Sequence, residues 1–219
     1  MDITDSKELF LQVRTAHRLV VSYYKRVHQL ICDVTNDESL DLDFHTWGPL
    51  DFSRPCQRLT NVFDSWEWDF VPGISTGYMF KKLENNKTLQ RGDWLLVFHV
   101  ISDTGISDFG NINNTDPIDL EVSAESARSV LRCYLVALHE PLELEIEDQL
   151  WAGLYDIDCV DEPVKAHLHD SWEVYGCCFE VNFENLTEVD AAKKLIEKIV
   201  KYRNAILPID ENNNSGMNP

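Results

Sequence analysis

Between Gly92 and Asp103 the chain passes through Trp94-Leu95-Leu96-Val97-Phe98-His99-Val100-Ile101 without a formal charge. The length of this run and its aromatic and β-branched residues read as a strand. Its apolar residues do not alternate with polar ones, so both faces need cover and the strand belongs inside a sheet. His99, within it, reads as a hydrogen-bonded core residue rather than a catalyst.

Two segments carry the helical period instead. Over residues 6–34, Leu9, Val13, Ala16, Val20, Tyr23 or Tyr24, Val27 and Leu30 or Ile31 recur at spacings of three and four, with Asp5 or Ser6 as a cap. Near the end, Thr187-Glu188-Val189-Asp190 resembles a capping box. It opens a helix to residue 206 with the stripe Val189, Ala192, Leu195, Ile196, Ile199 and Val200.

The remaining pattern predicts further strands at 63–70, where aromatics alternate with acids, and at 74–83, 150–158 and 172–183. Glu84-Asn85-Asn86-Lys87 is a hairpin turn between 74–83 and 92–103. Residues 123–139 fit the helical period through Ala127, Val130, Leu131, Tyr134, Leu135 and Leu138, with Ser123 as cap and Pro141 as stop, and are expected to form a buried helix. Residues 35–53 read as an ordered acidic loop and 106–117 as an Asn, Asp and Gly-rich loop. The predicted fold is α+β: residues 1–207 form a single domain, a mainly antiparallel sheet with long N- and C-terminal helices packed on it. The tail 208–219 has little to bury and is expected to be disordered.

Charge changes this picture most. The chain has 38 acids against 19 bases, a net charge of −19. That argues against direct binding to a nucleic acid backbone or an anionic membrane, and suits a basic protein partner. The charges are also segregated. Ten of the 19 bases fall on the two helices, while residues 140–173 hold eleven acids and a single base, Lys165, a net of −10. Spaced carboxylates raise encounter rates with a positive partner. The partner-binding residues expected on this basis are Glu143, Glu145, Glu147, Asp148, Asp156, Asp158, Asp161 and Glu162, with Trp151, Tyr155 and Trp172 as anchors. A solvated acidic face is the plainer alternative.

The chemistry-bearing residues support a second class more weakly. On a strand, Asp156 and Asp158 would share a face and could hold a divalent cation, with Asp161 or His169 completing a metal-dependent hydrolase or nuclease. His167 and His169 are zinc-ligand types, but His-x-His before the adjacent Cys177 and Cys178 is not a closed tetrahedral spacing. Neither GxGxxG nor GxxxxGK[ST] occurs, nor a GxSxG elbow, and no cofactor is expected. The six cysteines form no CxxC pair and are expected as reduced thiols. With an acidic N-terminus and no long apolar run, the expected location is the cytoplasm, with no membrane contact. The leading reading is an acidic interaction module of inhibitor or immunity type.

Overall fold

The computed structural model describes residues 3–49, 72–82, 90–107, 122–139, 157–168 and 172–208. Its centre is a six-stranded antiparallel sheet. In chain order the strands are β1 (Asp43–Pro49), β2 (Ser75–Lys82), β3 (Trp94–Ile101), β4 (Val130–Ala137), β5 (Pro163–Leu168) and β6 (Trp172–Asn182), arranged across the sheet as β1-β2-β3-β4-β6-β5. The first four form a meander; β6 then pairs with β4, and its hairpin partner β5 takes the edge.

The apolar run is β3, and every one of its residues is buried. Antiparallel ladders on both sides satisfy its backbone, from Trp94↔Lys82 to Ile101↔Ser75 on β2 and from Trp94↔Ala137 to Ile101↔Val130 on β4. Strand alternation splits its side chains between two layers. Trp94, Leu96, Phe98 and Val100 join Phe80, Leu131, Leu135 and Phe179 under the helices, whereas Leu95 and Val97 join Met79, Tyr134, Val136, Val174 and Ile157 on the opposite face. The turn into β3 uses Gly92 at φ 92°, a backbone conformation open to glycine. Buried Asp93 accepts the Gln90 N–H at 2.7 Å.

Helix α1 (Ile3–Thr35) and helix α2 (Ala191–Ile206) lie on the first face. Helix α2 buries Ala191, Leu195, Ile199, Tyr202 and Ile206, a stripe of threes and fours. From α1 only Val27, Ile31 and Val34 reach the core, with Tyr23 and Leu30 against its margin. The helix expected from residue 187 opens as a 3₁₀ segment at Phe183–Thr187, and its α-helical part starts at Ala191.

Three expectations are corrected. Residues 130–137 form strand β4, not part of a buried helix. The run Val130 to Leu138 is apolar on both faces, so a helical stripe can be picked from it as readily as a strand, and pairing with β3 and β6 decides. Residues 43–49, expected within a loop, form edge strand β1, whose alternation is broken by a register shift between Phe44 and Thr46. Residues 163–168, for which no strand was expected, form β5. The expected strand at 63–70 lies outside the described residues, as do most of 150–158, most of the 106–117 loop, and the tail from 209.

The two layers give a stability contrast. Phe98→Ala empties a side chain with no exposure and is expected to cost about 3–5 kcal/mol. Leu19→Ala, at a position 64% exposed on α1, is expected to change stability by less than about 0.5 kcal/mol. Urea unfolding monitored by tryptophan fluorescence measures both.

Candidate functional site

Helix α1 is two objects on one axis. From Lys7 to Ser22 every residue is exposed, including Leu9, Phe10, Leu11, Val13, Leu19, Val20 and Val21; from Tyr23 onward the helix meets the sheet. The junction is a knot of hydroxyls and rings. The Ser102 hydroxyl lies 3.4 Å from both Tyr23 Oη and Tyr24 Oη, and His28 Nε2 lies 2.9 Å from Tyr78 Oη. Tyr23 and Tyr24 meet edge to face, as do His28 and Tyr78. Burial pushes the Tyr23 and Tyr78 phenols up to about 12 and raises Tyr24 as well, so all three stay protonated hydrogen-bonding groups at neutral pH.

Beside this knot lies a pocket of about 410 Å³ lined by Tyr24, His28, Phe44, Trp47, Gly73, Thr76 and Tyr78. Its wall is almost wholly apolar and aromatic, with Trp47 64% exposed on edge strand β1. A Cβ at Gly73 would stand 2.7 Å from Tyr24 Oη, so the close approach of this ring depends on glycine there.

The acidic segment is placed in part. Glu143, Glu145, Glu147, Asp148, Trp151, Tyr155, Asp156 and His169 lie outside the described residues. Of the others, Asp158 and Glu162 are exposed in the loop that leads into edge strand β5, and Asp161 stands between them. His167 is on β5 and Trp172 starts β6, at the far end of that hairpin from the loop. Asp161 is tied to helix α2. Its carboxylate lies 2.9 Å from Lys198 Nζ, and the Tyr202 hydroxyl donates to its side chain at 2.9 Å and to its carbonyl at 2.7 Å. Its backbone N–H donates to the Cys178 carbonyl at 3.0 Å. Asp161 also takes a positive φ of 61°, a backbone conformation aspartate tolerates better than most residues. Desolvation acts to raise its pKa, but the bonds from Lys198 and Tyr202 outweigh it and hold the carboxyl below its ordinary value. Burial and the Asp161 bond push the Tyr202 phenol up to about 12.

The same loop carries a disulfide, Cys159–Cys178. This corrects the expectation of six reduced thiols; Cys32, Cys133 and Cys177 are free, and burial pushes the Cys177 thiol up to about 11 and Cys133 higher still. Such thiols are poor nucleophiles. His99 is buried, with Nε2 2.7 Å from Ser75 Oγ and its ring stacked on Tyr134. Among the described residues no three His, Cys, Asp or Glu side chains come together as a metal site requires, and no helix is long and apolar enough to cross a membrane.

Periodicity located the α1 stripe but not its bare half or the aromatic pocket. Length was the available signal: 33 residues of helix span about 50 Å, against about 26 Å for an eight-residue strand. Nothing local to 161 or 198 announced their ion pair.

The chain belongs to the PM0109 family, whose model matches residues 3–208. No curated protein and no solved structure matches it.

Two measurements test this loop. Because the folded pKa of Asp161 is depressed, its ion pair contributes stability above the ordinary carboxyl value of 3.8 and loses it as pH falls through the lower folded value. The melting temperature of Asp161→Asn is therefore expected below that of the parent at pH 7, with the gap closing in acid. Alkylation of the unfolded, unreduced protein is expected to find four free thiols among six cysteines once the Cys159–Cys178 bond has formed.

Proposed function

We propose that this member of the PM0109 family is an acidic protein-interaction module, of inhibitor or immunity type, that docks a basic protein surface through residues 140–173. The observation that carries the reading is how the 158–162 loop is held. The disulfide at Cys159, the Asp161 N–H bond to Cys178 and the Asp161 bridge to Lys198 and Tyr202 fix it at three points. Asp158, Val160 and Glu162 are left exposed between them. A loop ordered before binding loses less entropy on binding, which favours affinity.

The remaining acids of the segment add long-range attraction. In this reading Asp161 organises the loop and the exposed acids around it meet the partner. The free thiols among the described residues, Cys32, Cys133 and Cys177, fit a reducing cytoplasm, where the Asp161 contacts to Lys198, Tyr202 and Cys178 hold the loop without need of the Cys159–Cys178 bond. The metal-dependent hydrolase has no comparable support, since Asp161 is engaged by a lysine and a tyrosine.

Reversal of the charges at Glu143, Glu145 and Glu147 to lysine is expected to slow association with the partner while hardly moving the melting temperature, because exposed charges act on encounter rate more than on stability. The same reversals at Asp210 and Glu211 in the tail are expected to do much less. Surface plasmon resonance at two salt concentrations reads both effects, with screening over a Debye length of about 8 Å at physiological ionic strength weakening the attraction. An on-rate unchanged by the triple reversal would leave the segment as a solvated face.

A further inference from the structure

Edge strand β1 carries two exposed aromatic rings that its bulge brings onto one face. Phe44 stands opposite Phe80 and Trp47 opposite Tyr78. Because Tyr78 and Phe80 are two residues apart on β2, both β1 rings lie on the helix side of the sheet. On a regular strand, residues three apart point to opposite faces; the register shift between Phe44 and Thr46 removes that difference, and bulges re-aim side chains in this way beside functional sites. Helix α1 adds Tyr24 and His28, and Gly73 leaves room for the Tyr24 ring. Among the described residues five rings thus line the pocket of about 410 Å³, a volume within the small-molecule range of roughly 300–1,000 Å³. Neighbouring rings meet at steep angles, 53° for Tyr24 and His28 and 76° for His28 and Tyr78, as the walls of a box do.

The chemistry of the wall selects among ligands. No Lys, Arg, Asp or Glu is among the described residues that line it. Its polar groups are engaged with one another or with Ser102: His28 Nε2 lies 2.9 Å from Tyr78 Oη, and the Tyr24 hydroxyl meets the Thr76 and Ser102 side chains. An anion finds no positive charge in this wall and is repelled by the net charge of −19. A primary ammonium brings three N–H donors and would exchange its water for a wall whose acceptors are already in use. A quaternary ammonium has no N–H to satisfy. Its methyl groups suit an apolar wall, while its charge is drawn to the negative faces of aromatic rings. The acidity of the whole chain adds to this by enriching cations around it, whereas a neutral ligand of the same shape gains the apolar contact alone.

We propose that the pocket formed by Tyr24, His28, Phe44, Trp47 and Tyr78 binds a small quaternary ammonium compound, its trimethylammonium group held among the rings by cation–π attraction. Phe44 and Trp47, 56% and 64% exposed, are the rings that a ligand arriving from solvent meets. The site lies at the β1 edge of the sheet, and the 158–162 loop leads into β5 at the other edge, so the two surfaces are separate.

The experiment titrates the full chain, at physiological ionic strength, with choline, with its neutral isostere 3,3-dimethylbutanol and with ethanolamine, a primary ammonium of the same charge as choline. Ligand-observed proton NMR reads binding from the broadening of the ligand's own signals. Choline is expected to bind at least about tenfold more tightly than either of the others. Trp47→Leu and Phe44→Leu keep an apolar wall and remove a ring. Each is expected to weaken choline by several fold and to leave 3,3-dimethylbutanol within about twofold, with the melting temperature retained because both positions are exposed. Trp47→Phe, which restores a ring, is expected to keep the preference for choline. Equal or tighter binding of 3,3-dimethylbutanol would reduce the site to a plain apolar pocket and overturn the proposal. Ethanolamine as tight as choline, choline binding untouched by both leucine variants, or no choline binding at all would overturn it too. A peptide bearing trimethyllysine that binds tenfold more tightly than choline would overturn the assignment to a small molecule and place the trimethylammonium group on a protein.

Discussion

The structure depends on the desolvation of one strand on both faces. All eight residues of β3 are buried, so each backbone N–H and C=O in it must find a partner within the protein. Strands β2 and β4 supply these partners along its whole length. Once β3 is flanked in this way, its alternating side chains demand two apolar layers, one met by the helices and one by Met79, Tyr134, Val136, Val174 and Ile157. Even the polar groups admitted to this centre, His99 and Ser75, lie within hydrogen-bond distance of each other.

The helices answer that demand unequally. Helix α2 is as long as the layer it covers and buries one face from Ala191 to Ile206. Helix α1 overshoots, and the tyrosine knot at Tyr23, Tyr24, Ser102, His28 and Tyr78 marks where covering begins. Three phenols, neutral at physiological pH and carried further from ionisation by burial, can donate and accept there without charge, which anchors the helix where a buried ion pair would carry a large desolvation cost. The free half beyond the knot is then held in place by its own helical continuity with the docked half.

How much of this could be read from the residues follows from what each pattern encodes. The composition of β3 excludes a solvated face, so both its strand character and its inner position are legible. The helical character of α1 and α2 is legible from apolar spacings of three and four, although Val189, counted in the α2 stripe, stands exposed ahead of the helix and Ala191, Tyr202 and Ile206 complete the buried face instead. Strand β4 is not, because an apolar run without polar punctuation is compatible with either period, and only the partner strands distinguish them. Strand β1 hides its alternation behind a bulge, and has a strand partner only in β2 among the described residues. A stripe shows that a face must be covered somewhere and says nothing of what covers it, which is why the bare end of α1 needed the structure. The Asp161 to Lys198 bridge joins positions 37 residues apart, and Asp161 looked like one more member of an acidic run.

That bridge is also where the two charge classes of the chain meet. The bases concentrate on the helices and the acids in 140–173, and Lys198 of α2 draws Asp161 out of the acidic set to fix the loop, leaving Asp158 and Glu162 outward. A chain with a basic arm and an acidic segment invites head-to-tail association, which does not close on itself and tends toward open polymers. The large negative net charge opposes that outcome by keeping copies apart.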